Sequence, residues 1–212
     1  MRNVDQRAGI ARRAVLSSAL FFAPAARAGA PAGERFAAAA LRQVGVTFSY
    51  DPGYRQIAYP GGDVPRSTGV CADVPVRAAR DAFGLDLQKL VHEDMQRAFD
   101  AYPSRRRWGL AHPDPNIDHR RVPNLETFWT RTGACVWRAK GATAGNAFPD
   151  PLQSGDLVTW LLPGGYPHVA MVTAGGRDPR VVHNIGAGVR VARLADMAQA
   201  QAVGQFRWPA RA

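Results

Sequence analysis

The sequence predicts an α+β fold with N-terminal helices packed on a C-terminal antiparallel sheet. Three observations carry this. Between residues 34 and 132 apolar side chains recur at helical spacing, as with Phe36, Ala40, Leu41 and Val44. From residue 156 onward the pattern becomes short apolar runs separated by Gly-rich turns, which reads as a meander of strands. The 212 residues are 46% hydrophobic and 21% charged, too rich in core formers for disorder and long enough for one substantial core. With 21 Gly and 16 Pro, the chain is expected to be rich in turns rather than a helix bundle. No internal repeat points to a solenoid.

In chain order, residues 1–28 read as an export signal: a basic pair, Arg12-Arg13, then an apolar stretch to Phe22, then Ala26-Arg27-Ala28 as a cleavage pattern. The arginine pair suits either the Sec or the twin-arginine route. The remaining 29–212 are read as one domain. Helices are expected over 34–44 (stopped by Gly45), 72–83 (stopped by Gly84), 87–102, and 122–132 (stopped by Gly133). Residues 46–70 and 103–116 read as irregular. Strands are expected over 156–162, 168–173, 181–185 and 189–192, with an edge strand over 206–208. No apolar run reaches the roughly 20 residues of a mature membrane-spanning helix.

The net charge of +10 is inflated by the leader. It holds five arginines and one aspartate, so its removal leaves +6, with Arg105-Arg106-Arg107 as the one tight basic cluster. Export argues against nucleic acid as a partner and for the anionic cell envelope. The two cysteines, Cys71 and Cys135, lack any CxxC spacing, so a structural zinc site is not indicated. His92, Asp94, Asp118 and His119 likewise lack a tight metal-ligand spacing. No metal or cofactor is implied.

The chemistry concentrates on three residues. Cys71 lies at a loop-to-helix junction, where free backbone N–H groups and the positive end of the helix favour a reactive thiol and can hold an oxyanion. Its alternatives are an inert buried thiol or a disulfide with Cys135, itself read as a buried spectator. His168 opens one strand and His183 lies on the next, and period-two alternation puts them on one sheet face. In these roles His168 is the general base and His183 orients it, with Asn184 as the fallback. A thiolate–imidazolium pair is then expected, with the thiol below its usual value of about 8.5 and the imidazole above about 6.5. The polar block 114–124 places Asp118, His119, Arg120 and Arg121 as cleft-lining or bracing groups, with an arginine suited to a substrate carboxylate. Asp156 is a candidate brace for the strand before His168.

The order of Cys71, Gly155-Asp156-Leu157-Val158, His168-Val-Ala-Met-Val and Val182-His183 resembles the NlpC-type cell-wall peptidases, which are papain-like cysteine hydrolases of exported bacterial proteins. The resemblance implies a papain-like fold, Cys71 as nucleophile, His168 and His183 as its partners, and Tyr50 as the active-site tyrosine. A closer resemblance, over 35–208, is to the exported bacterial family called domain of unknown function 1287. Its look is carried by Tyr50-Asp51-Pro52, residues 59–65 (YPGGDVP), Gly69-Val70-Cys71, residues 87–95, residues 114–125 and His183-Asn-Ile-Gly186. Two departures from the NlpC pattern stand out. Val70 replaces an Asp before the cysteine, with Asp73 two residues after it. Pro75 would lack the N–H that closes the first turn if Cys71 were the N-cap.

The expectation is a periplasmic cysteine hydrolase or amidase acting on a peptidoglycan stem peptide. The alternative is a non-catalytic envelope-binding module that keeps the cleft.

Overall fold

The computed structural model describes residues 29–141, 145 and 147–209. The export-signal reading over 1–28 lies outside the described residues. Helix α1 (Ala32–Leu41) buries Phe36 together with Ala37, Ala39 and Ala40, whose small side chains allow close approach to the sheet. It stops three residues before the expected end. Val44 stays exposed, and Gln43 instead donates from Nε2 to the Val74 carbonyl at 2.9 Å, tightening the turn. Within the stretch read as irregular, β1 (Ser49–Tyr50) and β2 (Thr68–Gly69) form a short parallel ladder.

Helix α2 (Asp73–Phe83) ends as expected on Gly84, whose φ of 68° suits glycine. Helix α3 (Leu87–Ala98) is capped by Asp86, whose carboxylate accepts from Gln88 N–H at 3.1 Å. The α-helix is shorter than expected because the backbone leaves helical angles at Ala98 (φ −149°, ψ 50°) before a 3-10 turn over Phe99–Ala101. A short helix, α4 (Ser104–Trp108), lies inside the segment expected to be loop. Helix α5 (Val122–Arg131) carries Pro123 in its first turn, where a missing N–H is harmless, and stops near Gly133.

Six strands follow: β3 (Cys135–Arg138), β4 (Leu157–Leu162), β5 (Tyr166–Ala174), β6 (Arg180–Asn184), β7 (Val189–Arg193) and β8 (Gln201–Phe206). They form one antiparallel sheet in the order β3-β8-β4-β5-β6-β7. The run β4 to β7 is the expected meander. The last strand is a correction: it is not an edge but sits between β3 and β4, bonded on both sides. Its side chains show why, since Phe206 and Gln205 are fully buried. Strand β3 escaped the sequence reading because its register is broken by an irregularity between Cys135 and Trp137, which blurs alternation.

The sheet is covered on both faces. On one, α1, α2, α3 and α5 enclose a core that includes Leu157, Val169, Met171 and Phe206, with Trp129 packed 5.4 Å from Phe206. On the other, Val158, Trp160, Ala170, Val172 and Val181 lie under Met197 and Ala200. Gly155 permits the approach of α1: it has φ 88°, and a Cβ there would lie 2.4 Å from Gly33. Among the described residues, no helix is long and apolar enough to cross a membrane.

Candidate active site

Cys71 precedes α2 by two residues, in a turn closed by Asp73 N–H to Val70 O (3.2 Å) and Val74 N–H to Cys71 O (3.3 Å). The helix therefore starts later than an N-cap at Cys71 would give. Pro75 falls in its first turn, where no carbonyl waits for its missing N–H. Asp73, the residue out of place against the NlpC pattern, turns back along the chain. Its Oδ2 accepts from Val70 N–H at 2.6 Å.

Cys71 is 4% exposed, and its sulfur lies close to the backbone N–H groups of Val169 and Ala72, which favour its charged form. Tyr50 lines the same cleft and is close enough to feel the Cys71 thiol. Strand alternation explains the Val169 contact. Val172 N–H bonds the Asp156 carbonyl on the β4 side, so the odd-numbered N–H groups of β5 point toward β6. The β5–β6 ladder ends at Met171 opposite Val182, leaving Val169 N–H open to the sulfur.

His168 and His183 share a face, as their alternation requires, with His168 Nε2 2.9 Å from His183 Nδ1. Each is 2% exposed. The His168 ring stacks on Trp160 at 6.1 Å and 24°. This face is the one away from the helices, shared with Ala170 and Val172. Cys71 meets the sheet from the helix side at Val169, the residue next to His168. Among the described residues, no hydrogen bond joins Cys71 to either histidine, and His168 Nδ1 is the ring nitrogen left free.

The electrostatics correct one expectation. Burial, aided by the Asp73 charge, pushes the Cys71 thiol up to about 11, overcoming the N–H donors. Burial and then His183 push His168 down to about 3. Burial and then Arg190, opposite it on β7, push His183 down to about 4. The resting site is thus neutral, a thiol and two imidazoles, because a sealed pocket penalises each separated charge. Tyr50 is raised to about 12 by burial and by the Cys71 and Asp73 charges, so it remains a donor.

The structure sorts the remaining candidates. Asn184 is fully buried and does not line the cleft. Its Nδ2 donates to Ser49 O (3.1 Å) and Gly69 O (3.0 Å), tying β6 to β1 and β2 and so to Tyr50 and the Cys71 turn. Arg120 faces both carboxylate oxygens of Asp73 at 3.0 Å and the Asp51 carbonyl at 3.1 Å. It is a brace, with its donors taken up inside the protein. Asp118, pushed up to about 6 by burial, holds Asn124 and Arg121. His119 is buried with Nδ1 unpartnered and pushed down to about 4 by burial. Neither lines the cleft. Arg121 does, beside Cys71, Tyr50, Trp108 and Pro167, in a cavity of about 380 Å³.

Sequence reasoning missed Arg77, whose fully buried guanidinium bonds Asp63, Thr47 and the Thr68 carbonyl beneath the Cys71 turn. No periodicity marks such a residue. Asp156 braces β8, receiving Arg207 at 2.8 and 2.9 Å and Gln205 at 2.9 Å. Cys71 and Cys135 are both free, and Cys135 is half-buried. His92 contacts Gln96, and Asp94 is held by Arg131 and Tyr102. Among the described residues no group of three metal-ligating side chains gathers.

A family model described as domain of unknown function (DUF1287) matches residues 37–208. An uncharacterized protein of Escherichia coli (strain K12), YijF, is 49% identical over 154 residues, covering 71% of this chain and 70% of its own length. No solved structure matches.

Proposed function

The chain belongs to the DUF1287 family, and from that premise we propose that it is an exported, papain-like cysteine hydrolase of the NlpC type that cleaves an amide bond in peptidoglycan stem peptides. One observation supports the reading above the others. A buried cysteine at a loop-to-helix turn lines a cleft with Tyr50 and lies near the Val169 N–H, next in sequence to a histidine whose Nε2 is held by a second histidine.

In this reading the Cys71 sulfur attacks the substrate carbonyl as its proton passes through a bridging water to His168 Nδ1, since the sulfur and the ring are not in hydrogen-bond contact. Neither separated charge needs to exist beforehand, which suits the neutral resting site. For Nδ1 to accept, His168 carries its own proton on Nε2 and donates it to His183 Nδ1. His183 then holds its proton on Nε2, the buried nitrogen that has no partner. The carbonyl oxygen gains negative charge, stabilised by Tyr50 and the N–H groups of the turn. Collapse breaks the C–N bond, and the amine leaves with the proton from His168. Water, deprotonated by His168, then hydrolyses the thioester, releasing the acid and restoring the thiol. A general base of this kind contributes about 10²–10⁴-fold.

The second reading, a non-catalytic envelope-binding module, is supported by the deep burial and high pKa of the thiol. Digestion of purified peptidoglycan, followed by mass spectrometry of released fragments, separates the two. Hydrolysis predicts peptide fragments from the wild type and a fall of at least about 10³-fold for Cys71→Ala. Retention on sedimented peptidoglycan by both proteins, with no fragments from either, supports the binding module.

A further inference from the structure

The cleft in front of Cys71 is apolar for most of its wall, with Tyr50, Tyr54, Trp108 and Pro167 among the lining groups. Two lining residues are charged, Arg120 and Arg121, and no lining residue is acidic. They are not equivalent. The Arg120 side chain is 2% exposed and turned onto Asp73 and backbone carbonyls. Arg121 is 19% exposed in its side chain and, among the described residues, makes a single side-chain hydrogen bond, an ion pair from Nη1 to the buried Asp118 Oδ1 at 3.2 Å. A guanidinium has five N–H donors, so most of its donor capacity faces elsewhere. Its carbon lies 4.2 Å above the Trp108 ring, which holds the planar fork in a defined orientation.

We propose that Arg121 is a specificity-determining residue that grips a substrate carboxylate beside the scissile carbonyl, so that the site selects anionic over neutral substrates. The inference rests on the hydrolase reading for the word substrate, but the anion preference at Cys71 stands by itself. Asp118 answers Arg121 through Nη1 alone, and Arg120 is taken up by Asp73, so the remaining donors of the Arg121 fork, in a largely apolar cleft with no acidic lining residue, are the cationic groups left to meet an anion. The planar fork matches the two oxygens of a carboxylate.

Two alkylating probes of similar size test this without a known substrate: iodoacetate, which is anionic, and iodoacetamide, which is neutral. Their rates at Cys71 are read by peptide-level mass spectrometry at about pH 9, where a buried thiol begins to ionise, and normalised to glutathione under the same conditions. The expected iodoacetate-to-iodoacetamide ratio at Cys71 exceeds that of glutathione by about tenfold or more, as one charge-assisted pair warrants. Arg121→Gln should return the ratio to the glutathione value, and Arg121→Lys should keep part of the excess. If Arg121→Gln does not fold, the Lys variant decides: a ratio equal to wild type refutes the planar-fork assignment. A wild-type ratio no higher than glutathione's, or an unchanged ratio in folded Arg121→Gln, overturns the proposal. An enhanced ratio in a protein that releases no peptidoglycan fragments keeps the anion site and rejects the hydrolase.

Discussion

The Asp73–Arg120 pair and the His168–His183 pair are both sealed from water, yet they are built differently. In the first, every charge is answered. Asp73 takes the Val70 N–H and both arms of Arg120, and Arg120 continues to the Asp51 carbonyl. In the second, two neutral rings meet through one contact, leaving His168 Nδ1 free and His183 Nε2 buried without a partner. A saturated cluster can hold the backbone around Cys71 and Tyr50 but has nothing left to exchange. An unsaturated one is poor support but retains a nitrogen that can take a proton. In the hydrolase reading proposed above, support falls to the acidic and basic residues and proton transfer to the neutral ones.

Breaking the saturated cluster should have the largest effect. Arg120→Ala leaves the Asp73 carboxylate buried and unpaired. That costs about 3–5 kcal/mol, a fall of roughly 10 °C in thermal midpoint for a chain of this size. A loss below about 1 kcal/mol would show that water reaches Asp73 and that the contrast is false.

The unsaturated cluster should reveal itself through pH. His168 is held down to about 3 in the folded protein, while an unfolded histidine binds its proton near 6.5. Below about pH 6.5 the unfolded chain therefore carries the extra proton, and stability falls as pH drops until the folded ring itself titrates. His168→Gln removes that one proton. Relative to wild type it should gain about 1.4 kcal/mol per pH unit on acidification below 6.5, or roughly 3 kcal/mol by pH 4.5. Asp118, raised to about 6, acts in the opposite direction in both proteins and cancels in the comparison. Parallel denaturation curves at pH 7 and 4.5 measure the difference, and curves shifted equally by pH would mean that His168 is solvated.

The smallest effect sharpens the boundary between the clusters. Asn184 belongs to neither, but its amide joins the strand of His183 to the carbonyls of Ser49 and Gly69. Asn184→Ala strands those acceptors and should cost about 1–2 kcal/mol in chemical denaturation. If it instead left stability intact and abolished fragment release, Asn184 would belong with the reacting groups.

Much of this was legible in the residues. Helical spacing closed by Gly84 and Gly133 placed α2 and α5, and strict alternation in 168–172 and 181–185 put the two histidines on one face. Those features depend on neighbours a few positions away, and local geometry has a fixed period. What lay beyond reach depended on residues far apart in sequence. Asp73 finds Arg120 across 47 positions, and Asn184 finds Gly69 across 115. The last strand is interior because β3 covers it, a pairing that its own six residues do not encode. Most of all, the charge state of the site reversed. The junction before a helix favours a thiolate, and the sequence shows that junction. Desolvation, which makes the thiol, His168 and His183 neutral, comes from the whole surrounding shell and exists only once the chain has folded.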